Sequence, residues 1–193
     1  MNAVVLKDSN TRGMSDSAFL KFCLENPVLR IERNSDLEVT IMSPVSTLSG
    51  SHSSEIFGQL YLWNREHSDG LVFDASVGFT LPDRSVLSPD ASWLSRDKWN
   101  KLDKFDRNRF APVCPEFVIE VLSKTDETES LKRKMRSWIG NGALLAWLID
   151  PWNARIYWYQ PGNIEKVHSG FDEKILAVEP VKGFELELSR LMV

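Results

Sequence analysis

Residues 116–123 read EFVIEVLS, and from Phe117 to Leu122 every position is apolar except Glu120. In a strand, alternation puts Phe117, Ile119 and Val121 on one face and Val118, Glu120 and Leu122 on the other. A strand that is apolar on both faces is a central strand covered from both sides. The chain must therefore lay structure on each side of a sheet. The next segment supplies one layer. Residues 131–141 carry helical periodicity and stop at Gly142, and ALLAWLID is a second apolar strand. A strand, a crossover helix and another strand predict an α/β or α+β plan, a mixed β-sheet flanked by helices.

The rest of the chain fits that plan. Ser15 is a candidate N-cap for a short helix that Pro27 ends, preceded by an aperiodic, polar arm over residues 1–14. Two strands, residues 28–32 and 37–42, flank the turn residues Asn34, Ser35 and Asp36. Residues 44–54 read as a serine-rich loop, and residues 54–67 as a helix with Ile56, Phe57, Leu60, Tyr61 and Trp63 on one side. LVFDAS, VGFTL and SVLSPDASWL are strands, as are ARIYWYQ after the turn at Pro151 and the closing GFELELSRL. Residues 15–193 are expected to form a single domain, and 193 residues suffice for one large core.

Composition narrows the setting. No apolar run approaches the length needed to cross a bilayer, the longest being around residues 142–149. The N-terminus lacks the basic start and sustained apolar core of a secretory signal. Cys23 and Cys114, 91 positions apart and without metal-ligand spacing, suit a reducing compartment, so a cytoplasmic location is expected. The net charge of −4 gives no bulk attraction to nucleic acid, and charge must be read by segment. Residues 96–109 hold six basic and three acidic side chains, a local +3, and are expected to act as a phosphate-binding flap.

Glu120 carries the chemical interest, because an ionised carboxylate buried there costs several kcal/mol unless paired, protonated or bound to a cation. Asp90, in SPDASWL, follows Pro89 at the start of another strand. Alone it is ordinary turn chemistry. On a strand neighbouring Glu120, it could share a hard divalent ion, which would activate water beside a phosphodiester. On the helix after Glu120, Met135 and Trp138 lie within about 40° of Leu131, and Lys134 about 60° to one side, at the border of the core stripe. Such a lysine can snorkel to solvent or reach the phosphate.

SPDASW, CPEFVIEVLS and LKRKMRSWIGNGALLAWLIDP together resemble the signature of the Uma family, grouped with restriction endonucleases in the PD-(D/E)XK nuclease superfamily. RIERNSDLEVTIMSP and GFELELSRL fit the same pattern, so the resemblance runs from about Phe19 onward. It implies a restriction-endonuclease-like core and Mg²⁺- or Mn²⁺-dependent hydrolysis of DNA. It also implies metal ligation by Asp90 and Glu120 and a catalytic role for Asp90, Glu120 and Lys134. The superfamily places its lysine two residues after the second acid, where this chain has Leu122; the resemblance moves that role to the following helix, where the wheel favours Lys134 over Lys132, about 160° away. Glu55 is a further candidate ligand, balanced by its position opposite the apolar helix face, and His52 a weak one.

Trp152, Tyr157, Trp158 and Tyr159 cluster on one hairpin, and alternation predicts that one side faces outward as a homodimer surface. The expected partners are DNA and a second copy of the chain, with no membrane and no organic cofactor. The alternatives are a nuclease-fold binding or regulatory module without catalysis, and a nuclease acting on RNA or repair intermediates.

Overall fold

Apolar strands that need cover on both faces, and only two long helical segments to give it, leave few arrangements. The computed structural model describes residues 3–6 (as backbone), 14–67, 69–162 and 164–192. In chain order, its first half comprises β1 (Ala3–Leu6), α1 (Asp16–Glu25), β2 (Arg30–Arg33), β3 (Val39–Met42), α2 (Thr47–His67) and β4 (Gly70–Asp74). Next come β5 (Phe79–Thr80), β6 (Val86–Leu87), β7 (Ala91–Ser95) and α3 (Arg96–Lys101). The second half comprises β8 (Phe117–Val121), α4 (Thr128–Gly140), β9 (Leu145–Asp150), β10 (Arg155–Gln160), β11 (Ile164–Ser169), β12 (Lys174–Leu176) and β13 (Glu185–Glu187).

The strands divide into a six-stranded sheet ordered β11-β10-β9-β8-β7-β4, a five-stranded sheet ordered β1-β3-β2-β6-β5, and a β12-β13 ribbon. The six-stranded sheet is mixed: β8 and β9 run parallel with α4 as their crossover, and the other pairs are antiparallel. β8 lies inside it, buried at every position. Ile56 and Leu60 of α2 and Phe184 and Leu186 near β13 cover the face of Phe117, Ile119 and Val121. Met135 and Trp138 of α4 cover the face of Val118 and Leu122. The alternation read in EFVIEVLS is thus the division between two cores.

Four sequence expectations differ from the structure. Part of the expected loose arm, Ala3–Leu6, is a strand paired along β3. AVVL is a short apolar, partly β-branched run that suits an open sheet edge; residues 1, 2 and 7–13 lie outside the described ones. The serine-rich loop is instead the first turns of α2. Ser46 Oγ accepts the Ser49 amide at 3.2 Å as a cap, and buried Ser49 and His52 pack where serine's small cost to a helix is outweighed. SVLSPDASWL is two strands in different sheets, because Pro89 has no N–H to continue a ladder and the chain changes sheets at Ser88–Asp90.

The fourth concerns the aromatic hairpin, whose strand β10 has no bare side, although Trp152 at its turn is 41% exposed. β10 is an inner strand beneath β11, so Tyr157 and Tyr159 are buried towards α4, while Trp158 packs on Trp147 at 5.0 Å on the other face. Among the described residues, no helix is long and apolar enough to cross a membrane.

Candidate active site

The register of β7 against β8 pairs Ala91 with Ile119, Ser92 with Val118 and Trp93 with Phe117. One step further puts Asp90 across from Glu120. Opposed residues of an antiparallel pair share a face, so both carboxylates lie on the side that α4 covers. Asp90 Oδ2 accepts the Val121 amide at 2.8 Å, which ties the loop before β7 to the end of β8. Both acids line a cleft of about 340 Å³, together with Arg30, Glu32, Met42 and Lys134.

Lys134 enters from α4, where the neighbouring Met135 and Trp138 are driven into the core and leave its stem to run along the helix border. Its Nζ stands 2.8 Å from Glu120 Oε1 and 2.8 Å from Glu32 Oε1, and donates to the Ser88 carbonyl at 3.2 Å. Glu120 Oε1 also accepts the Trp138 indole N–H at 3.3 Å. Arg30 Nη2 lies 3.6 Å from Asp90 Oδ1 and donates to the Ser88 carbonyl at 3.2 Å. Lys132 faces elsewhere, 4.4 Å over the Tyr157 ring and 3.3 Å from Glu129.

Electrostatics make this a strained group of charges. Burial pushes the Asp90 carboxyl up, against Arg30, the Val121 amide and Lys134, with Glu32 adding to the rise. Burial also pushes Glu120 up, to about 7; Lys134 pulls it down, and the Asp90 and Glu32 carboxylates push it up again. Burial works against the Lys134 ammonium, but Glu120 and Glu32 outweigh it and hold it above its ordinary value. Both partners of the Glu120–Lys134 pair therefore shift upward. Glu120 answers to burial and two other acids as well as to the ammonium.

With Glu32, Asp90 and Glu120 ionised against Arg30 and Lys134, the cluster is one positive charge short. Among the described residues, no three His, Cys, Asp or Glu side chains converge as a ready metal cage. Two carboxylates, one just before β7 and one on β8, all-oxygen and short of positive charge, fit a hard divalent cation. Mg²⁺ commonly takes one or two carboxylates and fills its remaining positions with water.

The other candidate residues lie outside this cleft. Glu55 accepts from Gln59 at 3.0 Å and lies 3.7 Å from Arg190, on the helix that covers the opposite face. His52 is buried with its ring edge-on to Trp152, and burial lowers its pKa. The basic segment hangs from the other end of β7, about 20 Å from Asp90 for six residues at about 3.3 Å each. Four of its cations are bound locally: Arg96 to the Gly70 carbonyl, Lys98 to that of Cys114, Arg107 to that of Trp99, and Arg109 to Asp106. Lys101 and Lys104 are exposed. Glu32 and Arg30 escaped the sequence reading; in RIER they alternate with Ile31 and Arg33, a pattern any edge strand shows.

The sequence model of the Uma2 family, described as "Putative restriction endonuclease", matches residues 16–189, a span that holds every residue of the cleft. The chain belongs to the Uma2 family. No curated protein matches it. Among solved structures, it is similar to "a putative nuclease belonging to DUF820" from Anabaena variabilis, with a TM-score of 0.71 and 17% identity over 84% of this chain and 89% of that one. At that identity the likeness shows the fold, a mixed sheet flanked by helices. Family membership supports a nuclease.

Proposed function

We propose that this chain hydrolyses DNA phosphodiester bonds with Mg²⁺ or Mn²⁺, Asp90 and Glu120 holding the ion and Lys134 assisting. The observation that carries this reading is the one cleft that Asp90 and Glu120 both line, with the Lys134 ammonium 2.8 Å from Glu120. When bound, the cation supplies Lewis acidity towards a phosphoryl oxygen and towards water. The Val121 amide fixes one oxygen of Asp90, so its orientation is set before any ligand arrives. Lys134, kept protonated by its two acids, stabilises negative charge that develops on the phosphate. Arg30, on the cleft wall, offers a planar guanidinium suited to phosphate oxygens. The free thiols of Cys23 and Cys114 fit the reducing cytoplasm that this reading assumes.

The test is cleavage of supercoiled plasmid with Mg²⁺, with Mn²⁺, and with chelator. Nicking or linearisation that needs the ion and disappears in Asp90→Asn is the expected result. DNA that is bound but left intact under every ion would favour a non-catalytic binding module, and cleavage of RNA alone would move the substrate.

The same reading carries two more expected outcomes. Charge reversal at Lys101 and Lys104 is expected to reduce the slope of log K against log salt by about 1.8, two phosphate contacts at about 0.9 each. An unchanged slope in a filter-binding series would make the segment a solvated loop. Cutting both strands of a duplex calls for two sites, which a twofold homodimer supplies. β11, one of the two outer strands of the six-stranded sheet, exposes Ile164 and Val167 and is the surface to pair. Sedimentation at twice the 22.1 kDa chain mass is expected, reverting to one chain in Val167→Asp; a monomer with and without DNA would remove the dimer.

A further inference from the structure

Glu32 has no task in the proposed hydrolysis, yet it is buried at 8% exposure inside the same cleft. It arrives on β2 from the five-stranded sheet, whereas Glu120 lies on β8 of the six-stranded one. Its Oε1 accepts from Lys134 Nζ at 2.8 Å and from the Ser88 amide at 2.9 Å. Lys134 also meets Glu120 and the Ser88 carbonyl, so the three N–H donors of its ammonium face three oxygens. An ammonium held by Glu120 alone would compete with an arriving cation for that carboxylate. One anchored from the opposite wall need not move when Glu120 turns to the cation.

We propose that Glu32 is a positioning residue. It anchors the Lys134 ammonium to the five-stranded sheet and to Ser88, two residues before Asp90, so that Glu120 can exchange its share of the ammonium for a divalent cation while Lys134 stays in the cleft. The cation half of this inference rests on the metal-dependent hydrolysis proposed for the cleft; the anchoring of Lys134 does not.

Glu32→Gln keeps an oxygen for the Ser88 amide and nearly the same volume, removes the charge, and turns the second oxygen into an NH2 donor. Mn²⁺ affinity, measured by titration calorimetry, is expected to fall about 10–100-fold, the usual cost of losing a partner that orients a metal site. In a Lys134→Met background, the same substitution is expected to change Mn²⁺ affinity by less than about twofold, because its effect passes through Lys134. A full loss in that background would make Glu32 a ligand or a through-space charge and overturn the proposal. So would an unchanged affinity in Glu32→Gln with only a lower melting temperature, the mark of a purely structural acid.

A second measurement needs no metal. Acylation of Lys134 by an amine-reactive ester, followed by peptide mass spectrometry, is expected to run several-fold faster in Glu32→Gln than in the wild type. An equal rate would show that Glu32 does not hold the ammonium. If the wild type binds no divalent ion, the metal-dependent hydrolysis falls, and the acylation rates decide the anchor by themselves.

Discussion

Glu120→Gln is expected to abolish cleavage while making the metal-free protein harder to melt at pH 8. The loss follows from removing one of the two proposed cation ligands, a stabilisation of several kcal/mol, or about 10³ in rate. The gain follows from burial, which lifts the Glu120 carboxyl from 4.5 to about 7 despite the neighbouring ammonium. An acid whose folded pKa lies above its unfolded value helps the fold only while protonated. That contribution is complete below pH 4.5 and is lost as the pH rises through about 7. Metal-free wild type should therefore lose stability across this window, and Glu120→Gln should lose less.

Each kcal/mol corresponds to about 2–4 °C in a chain of this size, so calorimetric scans at pH 5 and pH 8 will resolve the difference. Added Mg²⁺ should reverse the order. At a hundred times its dissociation constant it stabilises the wild type by about 2.7 kcal/mol and leaves the glutamine variant where it was. A variant that melts below the wild type at pH 8 without metal would show that the Lys134 pair, and not burial, dominates Glu120.

The second large effect separates two lysines. Lys134→Met should cost about 10²–10³ in cleavage rate, the usual worth of a group aimed at developing charge. It should also destabilise the fold by about 3–5 kcal/mol, because Glu32 and Glu120 lose the cation between them. Rates must therefore be compared well below the melting point of the variant. Lys132→Ala should leave the rate near that of the wild type and lose only its contacts with the Tyr157 ring and Glu129. If Lys132→Ala abolishes cleavage while Lys134→Met retains it, the cleft has been assigned the wrong lysine.

How far the sequence revealed this cleft depended on how local each signal was. Glu120 stood out because a charge inside an unbroken apolar strand has few bland explanations. Lys134 could be placed because a helical wheel needs only the residues on either side of it. Glu32 was invisible for the opposite reason: its meaning comes from Lys134, 102 residues away, and nothing in RIER marks one charge as buried. The aromatic hairpin misled in the same way. Alternation separates the two faces of β10, but covering them depends on α4 and the C-terminal segment, which no window around Trp158 contains. The serine-rich start of α2 was lost to composition, since a buried Ser49 and a cap at Ser46 are tertiary facts.

The meeting of two sheets at Ser88–Asp90 has a consequence for a chain still being made. Glu32 and Asp90 leave the ribosome well before Glu120, and Lys134 comes later still. α4 packs on β9 as well as on β8, so the sheet beneath it is complete only once β9 has paired beside β8. Contacts that join such distant residues form late, after the loop-closure entropy between them has been overcome. A nascent or stalled chain thus carries the acids without their ammonium, or the strand pair without its second wall. A fragment that ends before Lys134 lacks the ammonium that bridges Glu32 and Glu120 across the finished cleft.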